Sequence, residues 1–198
     1  TGAMILEHQK ALAIHQNVCE GDRYFWYSTT GWMMWNYALS SLLCSATLCL
    51  YNGAPTTPKP SVLWDFASQA KINHFGHGAV YFQQQADVGF SGFEGYDFDH
   101  LKTIGSTGSP LSADICKLLQ HRFPNTRIIS LSGGTDVCTA FVGGHPEMEV
   151  VPGEIQCKML GAAVEIWNTD GTKIQHQPGE LVLSKPFISM PIHLLGDK

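Results

Sequence analysis

Charge is scarce in this sequence. Asp, Glu, Lys and Arg make up 15% of its residues, and only 12 of the 198 are Lys or Arg. Those basic residues are scattered and the net charge is −5, which speaks against a nucleic-acid partner, since tracking a phosphate backbone needs clustered cations. The 6 cysteines show no Cys-x-x-Cys spacing, and most sit in apolar runs such as SSLLCSATLCL. They read as small buried hydrophobes in a reducing compartment, not as a disulfide framework or a zinc site. The longest apolar run, residues 37–51, is too short and too serine-rich to cross a bilayer. No signal peptide opens the chain, so a cytosolic location is expected. Internal repeats, low-complexity segments and the Gly-x-Ser-x-Gly signature of a serine hydrolase are all missing.

What is present is enough for a globular core: 198 residues with 44% hydrophobic content, sufficient for one domain or a piece of a larger one. The chain starts Thr-Gly-Ala, directly inside a helical pattern, and stops just after a Pro-bounded β-type run, so a fragment of a longer polypeptide is expected. Apolar residues at 4, 5, 11, 12 and 14 predict a helix packing one face. Strands are expected at 23–28, 46–51, 72–75, 101–106 and 126–130, with helices at 32–43, 60–71, 78–85 and 112–123, the last capped by Ser112. This alternation predicts an α/β fold with a mostly parallel sheet and crossover helices. From residue 153 short strands separated by glycine turns follow, with Thr169, Asp170 and Gly171 as a hairpin signal, which adds a short antiparallel β element. The division expected is an α/β portion over 1–142 and a β-rich portion over 143–198.

In an open parallel sheet, ligands collect beyond the carboxyl ends of the strands. Three such ends carry hydroxyls and glycines: Thr29, Thr30, Gly31 and Trp32; Ser106, Thr107, Gly108, Ser109 and Pro110; and Ser132, Gly133, Gly134, Thr135 and Asp136. In the last, the glycines let backbone approach a ligand, Thr135 offers a hydroxyl to a phosphate, and Asp136 offers the hard oxygen that Mg²⁺ prefers. Each motif has a plainer reading beside this one. SGGTD is also a glycine turn with Asp136 capping a following helix, GSP is also a simple strand-to-helix turn, and WMMW is also core. If the three turns are neighbours, they form one cleft suited to a nucleotide beside a small acyl group.

Read together, the phrases GDRYFWYSTTGWMMWN, LKTIGSTGSPLS, SLSGGTDVCTAFVGGHP, GEIQCKMLGAAVEIWNTDG and GELVLSKPFISMP resemble, in order and over nearly the whole chain, the acetoacetyl-CoA synthetases of the adenylate-forming acyl-CoA synthetase superfamily. The resemblance implies an acid-thiol ligase that joins acetoacetate to AMP with release of pyrophosphate, then passes the acyl group to coenzyme A. It implies ATP, Mg²⁺ and coenzyme A as cofactors and substrates, and a place in ketone-body and fatty-acid metabolism. By the same resemblance Thr135 touches the α-phosphate and Asp136 holds Mg²⁺. Gly108, Ser109 and Pro110 line the adenine, and Ser132, Gly133 and Gly134 complete the nucleotide site. Trp32, Met33, Met34, Thr107 and Gly133 wall the acyl pocket. Two departures stand out: Asp136 replaces the family's usual Glu, and Ser132 replaces its aromatic residue. Gly133 falls where acetate-specific relatives carry a Trp, so Gly133→Trp is expected to restrict activity towards acetate. Glu180 matches a structural β-hairpin motif, and Leu195, Gly196 and Asp197 read as the segment before the family's ribose-binding motif.

The same resemblance makes residues 1–198 a central fragment of the large N-terminal AMP-binding domain. The Pro-Lys phosphate loop is expected upstream and the lysine-bearing C-terminal domain downstream, so the segment alone is expected to be inactive. Its partners are then small-molecule substrates and the remaining N- and C-terminal parts of the same polypeptide. Two alternatives stay open: another short-chain acyl-CoA synthetase, and a noncatalytic interaction module that retains the fold. His74 and His77 lack a third ligand at useful spacing and read as loop or core residues, while Asp97, Asp99 and His100, a candidate metal or acid-base set, read as a solvated turn on an aromatic-rich loop.

Overall fold

Five short β-prone runs pair side by side in the computed structural model, which describes residues 2–93 and 95–196. They are β1 (Arg23–Trp26), β2 (Thr47–Leu48), β3 (His74–Gly78), β4 (Thr103–Thr107) and β5 (Arg127–Ser130), and they form one sheet in the order β2-β1-β3-β4-β5. Every pairing in it is parallel. The crossovers carry α2 (Met33–Leu39), α3 (Val62–Gln69), α4 (Ala79–Asp87) and α5 (Ala113–Arg122). The predicted cap holds: the Ser112 hydroxyl accepts the Ile115 amide at 3.3 Å, with Asp114 in the first turn of α5 and Arg122 in the last. β3 starts two residues later than the sequence pattern suggests. Left-handed Lys71 ends α3 and the Ile72 amide bonds back to the Ala67 carbonyl, so Ile72 is spent on closing the helix.

One face of the sheet carries the in-register row Phe25, Phe75, Ile104 and Ile128. These residues pack under α3, α4 and α5 around the fully buried Trp64. The Trp64 indole stacks on Phe75 with ring centroids 4.3 Å apart, and its N–H donates to Gln85 Oε1 at 3.1 Å, which satisfies the polar end of a ring placed in the core. The other face is flatter. There Trp26 lies across Gly76 of β3 and Gly105 of β4, so close that a Cβ on Gly76 would fall 2.0 Å from Cε3 of the indole. Leu12, Tyr24, Tyr37, Ala140 and Met159 complete that second core.

At the amino edge of the sheet, the Asp22 carboxylate joins the first, third and fourth strands. It accepts from Lys102 Nζ at 2.6 Å and lies 2.9 Å from His74 Nε2, while His74 Nδ1 meets the Thr103 hydroxyl at 2.8 Å. Burial pushes the Asp22 carboxyl up, but the hydrogen bonds from Lys102, His74 and the Cys19 amide outweigh it and hold the group below its ordinary range.

Three sequence expectations need correction. Residues 132–142 do not continue the parallel layer. β6 (Ser132–Gly134), β7 (Thr139–Gly143) and β8 (Cys157–Lys158) form a separate antiparallel sheet, because the SGGTD turn folds back as a hairpin and leads into no helix. A second antiparallel sheet follows from β9 (Val164–Trp167), β10 (Lys173–Ile174) and β11 (Glu180–Leu183), with the expected turn at Asp170 and Gly171. The first helix, α1 (Gly2–Lys10), continues into a π-helical turn over Ala11–His15. It buries Ala11 and Leu12 but leaves Ile5 and Ile14 exposed while Glu7, His8 and His15 go inside. The cysteines are free as expected, though only Cys116 is buried and Cys19 is exposed.

The contact between Trp26 and the two glycines makes the sheet intolerant of side chains there. Gly76→Ala should destabilise the fold by roughly 1–3 kcal/mol, the cost of overpacking, seen as a lower midpoint in a denaturant titration. An unchanged midpoint would show that the indole moves aside freely.

Candidate active site

The three predicted turns come together beyond the carboxyl ends of β1, β4 and β5, where they border two adjoining cavities. Glycine makes the first approach possible. Gly108, at φ +86°, turns the chain sharply after β4, so that Ser109 and Pro110 run along a cavity of about 450 Å³. Facing them are Ser130, Leu131, Ser132 and Gly133 from the end of β5 and the start of β6. The remaining wall is Gly153, Glu154 and Ile155. These three were not foreseen, and Gly153 packs against Ala113 at the start of α5. Nothing local in the sequence marks them, because their place depends on a tertiary contact.

The second cavity, about 240 Å³, is more apolar. Trp32, Met33 and Met34 line it on one side, and Gly133, Gly134 and Thr135 on the other, with Thr107 and Gly108 between them. The WMMW phrase is therefore split. Met34 is buried core, whereas Trp32 is 66% exposed and forms a lip. Trp26, Tyr37, Thr139 and Ala140 make the floor, and these too were missed, since each reads as ordinary core. Thr107, Gly108, Leu131 and Gly133 border both cavities. That seam is locked by the Thr107 hydroxyl donating to the Leu131 carbonyl at 2.9 Å and the Leu131 amide to the Ser106 carbonyl at 2.9 Å.

Gly133 sits at a register shift in the β6–β7 pairing. A Cβ there would lie 2.0 Å from the Thr139 carbonyl oxygen and 2.5 Å from Ala140 Cα, so the glycine is required by the close approach of two backbones. Gly133 lines the smaller cavity as expected of a pocket position, but its backbone also abuts β7. In this fold a side chain there must first push β7 away, and Ala140, its partner in the pairing, also lines the cavity.

Thr135 and Asp136 lie in the exposed turn between β6 and β7. Thr135 faces the smaller cavity, and Asp136 stands next to it on the solvent side, outside both cavity linings. Among the described residues no group of three His, Cys, Asp or Glu side chains could cage a metal ion. A lone carboxylate beside a hydroxyl fits Mg²⁺ that arrives with a substrate's phosphates and keeps several waters.

The remaining candidates fall outside the site. His74 belongs to the Asp22 cluster. His77 is sandwiched between Tyr27 and Tyr81, with ring centroids at 4.8 and 4.1 Å. Burial lowers its pKa to about 4, and the Gly78 amide donates to its Nδ1 at 2.7 Å, so it is a neutral ring. Asp97 and His100 pair at 3.6 Å on an exposed loop. Glu180 begins the outer strand β11 and is exposed. Leu195 and Gly196 are exposed turn residues, while Asp197 lies outside the described residues.

Comparison with known proteins agrees with this geometry. The family model for AMP-binding enzymes matches residues 2–192. Acetoacetyl-coenzyme A synthetase of Rhizobium meliloti (strain 1021) is 39% identical over 197 residues, covering 99% of this chain and 30% of that protein. Acetoacetyl-CoA synthetase of Gallus gallus is 36% identical over 198 residues, covering 100% of this chain and 30% of its own length. The solved acetoacetyl-CoA synthetase from Streptomyces lividans superposes with a TM-score of 0.90 at 37% identity, over 96% of this chain and 30% of that one. An anthranilate CoA ligase, solved in complex with anthranoyl-AMP, shares the fold at a TM-score of 0.79 and 17% identity, over 90% of this chain and 34% of its own. The chain thus spans about 30% of the length of the curated relatives it matches. With the family model covering nearly its whole length, and two cavities where that family's motifs converge, the chain belongs to the AMP-binding enzymes.

Proposed function

We propose that the polypeptide carrying this segment is an AMP-forming acid-thiol ligase that activates acetoacetate and passes it to coenzyme A. The observation that carries the reading is the pair of cavities joined at one seam. The larger one, lined by backbone and hydroxyls, has room for a nucleotide. The smaller, apolar one has room for a short acid only. The acid's carboxylate would attack the α-phosphorus of ATP, forming an acyl-phosphate bond as pyrophosphate leaves. The CoA thiol would then add to the acyl carbon, losing its proton, and AMP would depart.

Positioning does most of this work, because the nucleophile is already anionic and the obstacle is charge meeting charge. Gly108, Ser109 and Pro110 would lie along the base. Thr135, on the wall of the smaller cavity, would donate its hydroxyl to the α-phosphate reaching in from the larger one. Asp136 would hold Mg²⁺, which supplies neutralisation of phosphate charge. Met33, Met34 and Ala140 would enclose the acyl chain and keep water from the mixed anhydride. A cytosolic location and a role in ketone-body and fatty-acid metabolism go with this reading. Full-length relatives are about three times longer, so the 198-residue segment alone should release no pyrophosphate from ATP and acetoacetate. Steady release by the purified segment would show that it needs nothing further.

Two substitutions in the full-length polypeptide test the assignment. Asp136→Asn should lower the rate of acetoacetate-dependent pyrophosphate release on the order of 10²-fold, partly restored by raised Mg²⁺; a rate near the parent's would remove Asp136 from the metal site. Ala140→Leu narrows the smaller cavity. It should lower kcat/KM for acetoacetate about tenfold or more relative to acetate, and profiling the same variant on other short acids separates acetoacetate from a neighbouring substrate. An unaltered ratio would place the acid elsewhere.

A further inference from the structure

α1 is built inside out: it shows Ile5 and Leu6 to solvent and buries Glu7 and His8 to 1% and 3% exposure. A carboxylate and an imidazole are kept inside only where specific partners hold them. Glu7 accepts from Lys10 Nζ at 2.7 and 2.9 Å and from the Thr139 hydroxyl at 2.8 Å. Lys10 in turn donates to the Leu160 carbonyl at 2.7 Å. His8 Nε2 meets the Cys138 carbonyl at 2.5 Å. A carbonyl can only accept, so the proton is on Nε2. Burial lowers the His8 pKa against the pull of that carbonyl and of Glu7. The ring is therefore neutral, and Nδ1 is left to accept from the Ser40 hydroxyl at 2.6 Å. Ser40 follows directly on α2, and its single hydroxyl proton is divided between His8 Nδ1 and the Asn36 carbonyl, which lies 2.9 Å away.

These contacts join two parts of the site that do not otherwise share a hydrogen bond among those described. Cys138 and Thr139 close the turn that carries Thr135 and Asp136, and Cys138 holds the left-handed φ of +51° on which that turn depends. α2 carries Met33, Met34 and Tyr37, the wall of the smaller cavity. His8 touches both, one ring nitrogen on each, and Glu7 fixes the next residue of the hairpin.

We propose that Glu7 and His8 are positioning residues that set the distance between the phosphate-binding turn and the acyl wall, so that acid and nucleotide meet in line. The inference rests on the two-cavity reading above, and neither side chain touches substrate in it. A misplacement of about 1 Å in such a pair can cost on the order of 10²-fold in rate. The cost would fall on adenylation, where the turn holds the reacting phosphate, and not on transfer from an adenylate already formed.

The test uses the full-length polypeptide with His8→Ala and with His8→Gln, whose amide nitrogen can still donate to the Cys138 carbonyl. Acetoacetate-dependent exchange of labelled pyrophosphate into ATP should fall on the order of 10²-fold in His8→Ala. Thioester formation from supplied acetoacetyl-adenylate and CoA should stay within about twofold, and His8→Gln should recover most of the lost exchange. In the same variants, hydrogen–deuterium exchange of backbone amides should quicken over residues 135–140 and stay unchanged in β3, β4 and β5. An equal fall in both half-reactions, a fall in neither, or amide exchange quickened throughout or nowhere would overturn the proposal. If the parent fails to exchange pyrophosphate, the ligase reading falls, and the amide pattern alone then decides whether His8 anchors the turn.

Discussion

The indole of Trp26 lying flat on Gly76 and Gly105 is the contact on which the rest of the arrangement depends. It lets the second core close down on the sheet with only one ring between them, and the same ring is floor to the smaller cavity. Larger residues at either glycine would lift the ring, and with it Tyr37 and Met34. The contact thus ties the packing of the sheet to the volume left for a ligand. A second close approach, Gly133 against the backbone of β7, plays the corresponding part on the other side of the cavity. Floor and wall are thus placed by three glycines that permit close contact.

The chemistry is then gathered by topology. Parallel strands deliver all their carboxyl ends to one edge, and here those ends carry Gly108 with its left-handed turn, Ser130 with the seam at Leu131, and the residues leading from Trp26 to Trp32. The hairpin of β6 and β7 is the exception. It leaves the sheet, and its closing residues are bonded to the buried polar face of α1 while Ala140 packs in the second core.

Much of this was legible in the sequence. The β5 run ending in SGGTD, the Ser112 cap and the GWMMW phrase each announce themselves locally, through β-branched residues, a capping hydroxyl and bulky side chains in unusual density. The resemblance to adenylate-forming enzymes then supplied an order for them. What was not legible depends on partners far along the chain. Glu7 and His8 look like the wet side of an amphipathic helix until Thr139 and Cys138 are placed beside them. The same distance in sequence hides Gly153 to Ile155. The hairpin at 132–142 was misjudged because a glycine pair after a strand serves a helix start and a β-bulge equally well, and only the pairing partner decides.

One strand, β3, illustrates a division of labour within the fold. Its first residue, His74, belongs to the charged lock with Asp22 and Lys102, and its last, Gly78, borders a cavity. Assembly is secured at one rim and chemistry is displayed at the other, about a strand's length away. A lineage built on this plan can therefore drift in the shape of its cavities, by editing loops and lip residues, without having to rediscover how its strands align.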